Sequence, residues 1–366
     1  MKGAVHYLFA FDVANEIKTA AIRDVAGRKP EPFDIRIGAT APRDLKLYRP
    51  LSVTLDAEEL STNAGLLRLT PVVRVFDVGV VSVTYVVPVE TGRLGDLVPF
   101  HQLAAGNERL DQRAEALCRK VTENLSPFLV KPNPQRRPAE AYTVFSLERI
   151  DGVEAGGVPE WANTNRAEIA ALLCEEALPE RLAEDQVKEA MRHAFSYTTG
   201  DMTIVDWDAA LVVDQSGYIG DVLYVLELAN LQLEEFQVLD DRLDEFFGRA
   251  YDDLERYYAV KRLLPTPERI LRSLRSIRMD ITKMSEEVTN ITKFIGDWYL
   301  ARVYLACKDR FHLGQWEASV DQKLRQLDSL YSLVRHEINE RRMLVMEAII
   351  VALFIFDVVM LIVNRK

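Results

Sequence analysis

Hydrophobic positions follow two patterns along this chain. The first half carries short apolar runs, and the second half carries long stretches with apolar residues spaced four and three apart. Apolar residues from Ala4 to Phe11 stop at Asp12 and predict a first β-strand. Residues Pro71 to Glu90 are rich in Val, with Gly79 and Pro88 as punctuation, and predict a strand pair or one long bent strand. Roughly Leu94 to Leu125 reads as helical, Ala141 to Ile150 as a strand, and Asn165–Glu176 and Glu184–His193 as helices. Met202 to Asp214 closes this half as a strand or hairpin.

From Val222 the series is Val222, Leu226, Ala229, Leu233, Phe236, then Asp240, then Leu243, Phe247, Ala250, Leu254 and Tyr257. Sustained four-and-three spacing predicts a long helix with a bundle or coiled-coil seam. Pro265-Thr266-Pro267 ends it and caps a second helix, whose seam runs Ile270, Leu274, Ile277, Ile281, Met284, Val288, Ile291 and Ile295. Gly296-Asp297 stops that helix. Trp298 to Phe311 predicts a shorter one, and a last helix beyond Gly314 carries Val320, Leu324, Leu327, Tyr331, Val334 and Ile338.

That helix runs into Met343–Val363, apolar apart from Glu347 and Asp357. Twenty-one helical residues span ~31 Å, enough for a bilayer core of ~30 Å. Arg341 and Arg342 precede it and Arg365 and Lys366 follow, suiting two head-group layers. Ten residues separate the two acids, placing them ~80° apart on one half of the helix. That geometry predicts a face turned to another helix, and Ala348 and Ala352 add a small pair that permits close approach.

The fold class expected is therefore an α+β N-terminal half, a long-helix hairpin or bundle, and a single C-terminal transmembrane helix. The domains expected are an α/β subdomain over 1–130, a Pro-rich linker over 131–138 and a second α+β subdomain over 139–218. A helical hairpin and stalk over 219–342 and the span over 343–363 complete the chain.

Composition narrows the function classes. The 366 residues are 48% hydrophobic and 28% charged with net charge −11, which excludes a mainly disordered chain and a multi-span membrane protein. An acidic chain is a poor general grip for nucleic acid, so no direct DNA binding is expected. Cys118, Cys174 and Cys307 lie far apart, which argues against a disulfide framework or zinc finger. No dinucleotide, phosphate-loop, zincin or nucleophile-elbow motif occurs, so no cofactor is expected.

Charge is unevenly distributed. Leu231 to Arg256 holds nine acids against three arginines, whereas Lys261 to Lys283 is basic. Arg269, Arg272, Arg275 and Arg278 form a ladder that either faces the acidic helix or binds phosphate on RNA or anionic lipid. Asp206 and Asp208, read on one face of a strand, are the metal candidates, with Asp201 or Asp214 as additional ligands.

The last helix resembles the required-for-meiotic-nuclear-division family. Glu347, the run AIIVALFIF and Asp357 match that family's acid spacing, although Met346 and Ala348 stand where the family has Leu and Trp. Gly296-Asp297, Leu324, Leu327, Tyr331, HEINERR, Ala229-Asn230-Leu231, Leu239-Asp240 and, more loosely, VFDVGVVSVTY are similar too. The resemblance implies a membrane-anchored protein without known catalysis, whose mitochondrial members support translation. The N-terminus reads as neither signal nor transit peptide, so the expected location is a prokaryotic inner membrane with the bulk cytoplasmic. The function expected is a non-enzymatic, tail-anchored scaffold. Its partners would be the lipid bilayer, further copies of the chain and an unidentified protein. A membrane-tethered metal-dependent enzyme is one alternative. A CorA-like ion-conducting oligomer is another, although its Gly-Met-Asn motif and second span are missing.

Overall fold

A computed structural model describes residues 1–33, 50–133, 137–154, 156–214, 219–259, 275 and 298–363. The chain divides into two compact units. One is Met1–Val238 with Met284–Trp316, and the other is Leu239–Lys283 with Glu317–Lys366.

The first unit is built on a ten-stranded sheet. Its strands are β1 (Lys2–Asp12), β2 (Glu31–Pro32), β3 (Leu51–Thr54), β4 (Glu58–Thr62), β5 (Gly65–Val75), β6 (Val80–Glu90), β7 (Glu140–Arg149), β8 (Ala194–Phe195), β9 (Asp201–Val205) and β10 (Ala209–Asp214). Their order is β8-β9-β10-β7-β1-β6-β5-β3-β2, and β4 pairs with β5. The β7–β10 pair is parallel and the others are antiparallel. β1 and β7 are neighbours, with Ala10 opposite Glu140, so strands from before and after the Pro-rich segment lie in one sheet. That segment itself begins as a strand, since Leu129–Pro132 pairs with Ala14–Ile17.

Side chains alternate across the sheet. Val5, Tyr7, Phe9 and Phe11 of β1 face the main core with Val83, Tyr85, Phe145 and Leu147. This face is covered by α1 (Leu110–Leu125), whose Leu110, Ala114, Cys118, Val121 and Leu125 form its buried stripe. The short helices α2 (Val158–Thr164) and α3 (Arg166–Leu173) add Val158, Ala162, Ile169, Leu172 and Leu173 to the same core, and α4 (Glu184–Ala190) packs on α3. The β5–β6 hairpin turns at Gly79, whose φ is +102° and whose added Cβ would lie 1.8 Å from the Ala14 carbonyl oxygen. Only glycine fits there.

The expected Leu94–Leu125 helix is divided. Leu94–Gln102 is a 3-10 segment containing Pro99, a turn follows with Gly106 at φ +64°, and α1 starts at Leu110. Proline removes a helical donor and a left-handed glycine redirects the chain, so one continuous helix is impossible.

The opposite face of the sheet packs against α5 (Ile219–Ala259) and α6 (Trp298–Arg310). Tyr224, Leu228 and Leu231 meet Ala10, Phe76, Val78 and Val80. Tyr299 donates its hydroxyl hydrogen to Thr203 Oγ1 (2.9 Å), and Tyr304 donates to Gln232. In the second unit α5 continues with buried Leu239, Leu243, Phe246, Phe247 and Ala250, and α7 (Leu313–Val363) contributes Val320, Leu327 and Leu330. Lys323 bridges Asp240 (2.8 Å) and Asp244 (2.5 Å). The Pro265–Pro267 turn and the Ile270–Ile295 seam lie outside the described residues.

Candidate functional site

Asp206 and Asp208 lie in the turn between β9 and β10, not on a strand. The turn is closed by Asp206 N–H donating to the Ala209 carbonyl (2.9 Å). Tyr142 donates its hydroxyl hydrogen to the Asp206 carbonyl (2.9 Å), and Thr143 N–H donates to the Asp208 carbonyl (3.2 Å). Both carbonyls are therefore held by β7, and both residues line a cleft. Asp201 and Asp214 pair across the other end of the hairpin, about five residues or ~16 Å away along the strands. Asp201 is already satisfied by Tyr197 N–H (2.7 Å), Thr198 N–H (2.8 Å) and the Thr198 hydroxyl (2.5 Å). The four carboxylates thus do not converge. Among the described residues no three His, Cys, Asp or Glu side chains are grouped to hold a metal ion.

The cleft has a volume of about 520 Å³, within the usual range for small-molecule sites. Its walls are the end of α3, α4, the β9–β10 turn and the end of α6. Arg310 sits at its base, 8% exposed, with Nη1 on Glu189 Oε1 (2.7 Å), Nη2 on the Glu189 carbonyl and Asp206 Oδ1 at 3.5 Å. The Cys174 thiol points at Asp206 Oδ2 (3.9 Å) and accepts from Gln186 (3.4 Å). His101 bonds through Nε2 to the Leu172 carbonyl (2.7 Å), which requires that nitrogen to carry the hydrogen. His193 meets Asp309 at 2.9 Å, and Trp207, 55% exposed, stands edge-on to His312.

Burial sets the proton chemistry. It raises the Asp206 carboxyl above its ordinary range, with Arg310 opposing, and raises Asp208, with His101 opposing. It lowers His101, which therefore favours the neutral imidazole, and raises Cys174, which therefore favours the thiol. The cleft can exchange protons and bind hydrogen-bonding groups, whereas its cysteine is not tuned as a nucleophile. Sequence reasoning singled out Asp206 and Asp208 and missed Arg310. The available signal was spacing: Val303, Cys307 and Arg310 share one helical stripe, which put a charge on a buried face.

The second candidate region is the end of α7. Met343–Met360 has mean hydropathy 2.5, none of it is buried, and Glu347 and Asp357 lie on this exposed helix. It is the one helix among the described residues long and apolar enough to cross a membrane. Of the arginine ladder, Arg275 is helical and exposed, while Arg269, Arg272 and Arg278 lie outside the described residues.

A family model described as the N-terminal domain of uncharacterized protein MJ0711 matches residues 2–219. The chain belongs to that family. The match takes in all ten strands of the sheet and α1 to α4, and stops at the first residue of α5. Uncharacterized protein MJ0711 of Methanocaldococcus jannaschii is 22% identical over 224 residues, 60% of this chain. The alignment covers 65% of that relative's length. No solved structure matches.

Proposed function

We propose that the protein is a membrane-anchored scaffold, in which α7 inserts into a bilayer and the sheet unit binds a protein partner. The carrying observation is the wholly exposed apolar helix Met343–Met360. A water-exposed helix without a polar face would be unstable, whereas a hydrocarbon surrounding satisfies it. The proposed location is the inner membrane of a prokaryotic cell with the bulk of the chain cytoplasmic. Glu347 and Asp357, ~80° apart, favour contact with a second copy, because a carboxyl group facing lipid is costly. The resemblance of this helix to the required-for-meiotic-nuclear-division family supports a non-catalytic membrane assembly. It also makes the translation machinery a partner to test.

The experiment is alkaline carbonate extraction of the full chain and of a chain stopped after Arg342. The full chain is expected in the membrane pellet, and the shortened chain in the supernatant with its far-UV spectrum and unfolding transition intact. Full-length protein that stays in solution without detergent would sink the proposal.

A further inference from the structure

Segment 137–140, which leads into β7, is attached to α5 through side chains of one helical stripe. Asn230, Glu234 and Gln237 are spaced four and three apart and so share a face. Asn230 Nδ2 donates to the Glu140 carbonyl (3.2 Å), and Glu140 N–H donates to Glu234 Oε2 (3.3 Å). These two α5 side chains thus satisfy both backbone groups of the first residue of β7. Gln237 accepts from Arg137 and also hydrogen-bonds the Glu140 carboxyl. Asn230 is 2% exposed and Glu234 3%.

Glu234 sits among like charges. Asp12, 4% exposed at the end of β1, and Glu140 disfavour its ionised form, while Arg137 opposes them. Buried Cys118 of α1 is within electrostatic reach, and Glu227 and Glu235 are buried on its own helix. Burial is the largest influence and pushes the Glu234 carboxyl up to about 8.

We propose that Asn230, Glu234 and Gln237 form a proton-controlled latch that fixes segment 137–140 to α5 and is closed while Glu234 carries its proton. A neutral carboxyl still accepts the Glu140 N–H through its carbonyl oxygen and brings no charge beside Asp12 and Glu140. Ionisation buries a carboxylate among carboxylates. The sign follows from linkage. The open state ionises near the ordinary carboxyl value and the closed state near 8, so the latch weakens as pH rises between them.

The test is amide hydrogen exchange of the full chain in detergent micelles at pH 6 and pH 8.5, corrected for intrinsic rates. Protection over 137–145 should fall about tenfold or more in the wild type. Glu234→Gln keeps an acceptor for the Glu140 N–H and cannot ionise, so its protection should be the same at both pH values. Gln237→Leu removes the acceptor for Arg137 and should lower protection at both pH values. Three results would each overturn the latch: wild-type protection independent of pH, a Glu234→Gln chain with the wild-type pH dependence, or a Gln237→Leu chain with unaltered protection.

Discussion

The two longest helices invert the usual relation between polarity and burial. From Tyr224 to Phe236 α5 is buried at every position, yet it carries Glu227, Asn230, Gln232, Glu234 and Glu235. From Met343 to Met360 α7 is exposed at every position, yet its only charged residues are Glu347 and Asp357. Neither is the amphipathic helix of a soluble surface. In α5 the polar groups find partners in the protein, because an unpaired buried polar group costs more than folding can spare. From Met343 to Met360 no described protein group covers the apolar side chains, and a hydrocarbon surrounding suits them. Surroundings, not composition, decide what a helix tolerates.

The largest effect expected comes from making the α7 end charged. Val351→Arg together with Leu353→Arg puts two guanidinium groups near the middle of the span, at roughly 2.5–3.5 kcal/mol each on insertion scales. The doubly substituted chain should leave the carbonate-resistant fraction. If it pellets with the membrane as the parent does, α7 is held by protein and the contrast with α5 collapses.

A second, smaller effect tests the other side of the comparison. Arg74 pairs with Glu227, whose side chain is 2% exposed, and this ion pair ties β5 to α5. Arg74→Met leaves a buried carboxylate without its cation, which should cost about 3–5 kcal/mol in unfolding free energy. Adding Glu227→Met should recover most of that loss, because an apolar pair replaces an ion pair at little net cost. Denaturant unfolding of both variants reads this directly. A single substitution that costs under about 1 kcal/mol would mean that water or another group already serves Glu227.

What the sequence discloses follows the same division. The α+β class, the β1 strand, the Pro71–Glu90 hairpin, the long helix after Val222 and the apolar end of α7 were legible, since each rests on local periodicity. Glu234 and Glu235 counted only among the nine acids of Leu231 to Arg256, and the structure buries both. Their environment depends on β1 and β7, which are distant in sequence. The Arg74–Glu227 pair joins residues 153 positions apart, beyond any local pattern. The candidate cleft was half legible. Asp206 and Asp208 stood out as a pair, but they read as one strand face, whereas β9 ends at Val205 and both lie in the turn before β10. The groups that complete the cleft come from α3, α4 and α6, and no spacing rule links them to that turn. The match to residues 2–219 likewise stops where α5 begins, so family membership says nothing about either long helix.

The smallest effect expected is a pH dependence on the α5-covered face of the sheet, opposite in sign to that of Glu234. Ser146 donates its hydroxyl hydrogen to the Ala4 carbonyl (2.9 Å), so its oxygen accepts from His6 Nε2–H (3.0 Å) and that ring nitrogen keeps a hydrogen. Burial first, and the Arg74 guanidinium second, lower His6 to about 4. The unfolded chain therefore takes up the proton near 6.5 while the folded chain resists until about 4, and stability falls as pH drops through that window. At about 1.4 kcal/mol per pH unit the loss is on the order of 2–3 kcal/mol. His6→Gln, which still offers a donor to Ser146, should flatten thermal unfolding between pH 6.5 and 4. Arg74→Met should move the His6 titration upward, because the guanidinium opposes the imidazolium. Membrane retention should not follow this titration, since Met343–Val363 contains no histidine. A loss of membrane retention on acidification that His6→Gln prevents would mean that the two helices are not independent, and the contrast between them would need another explanation.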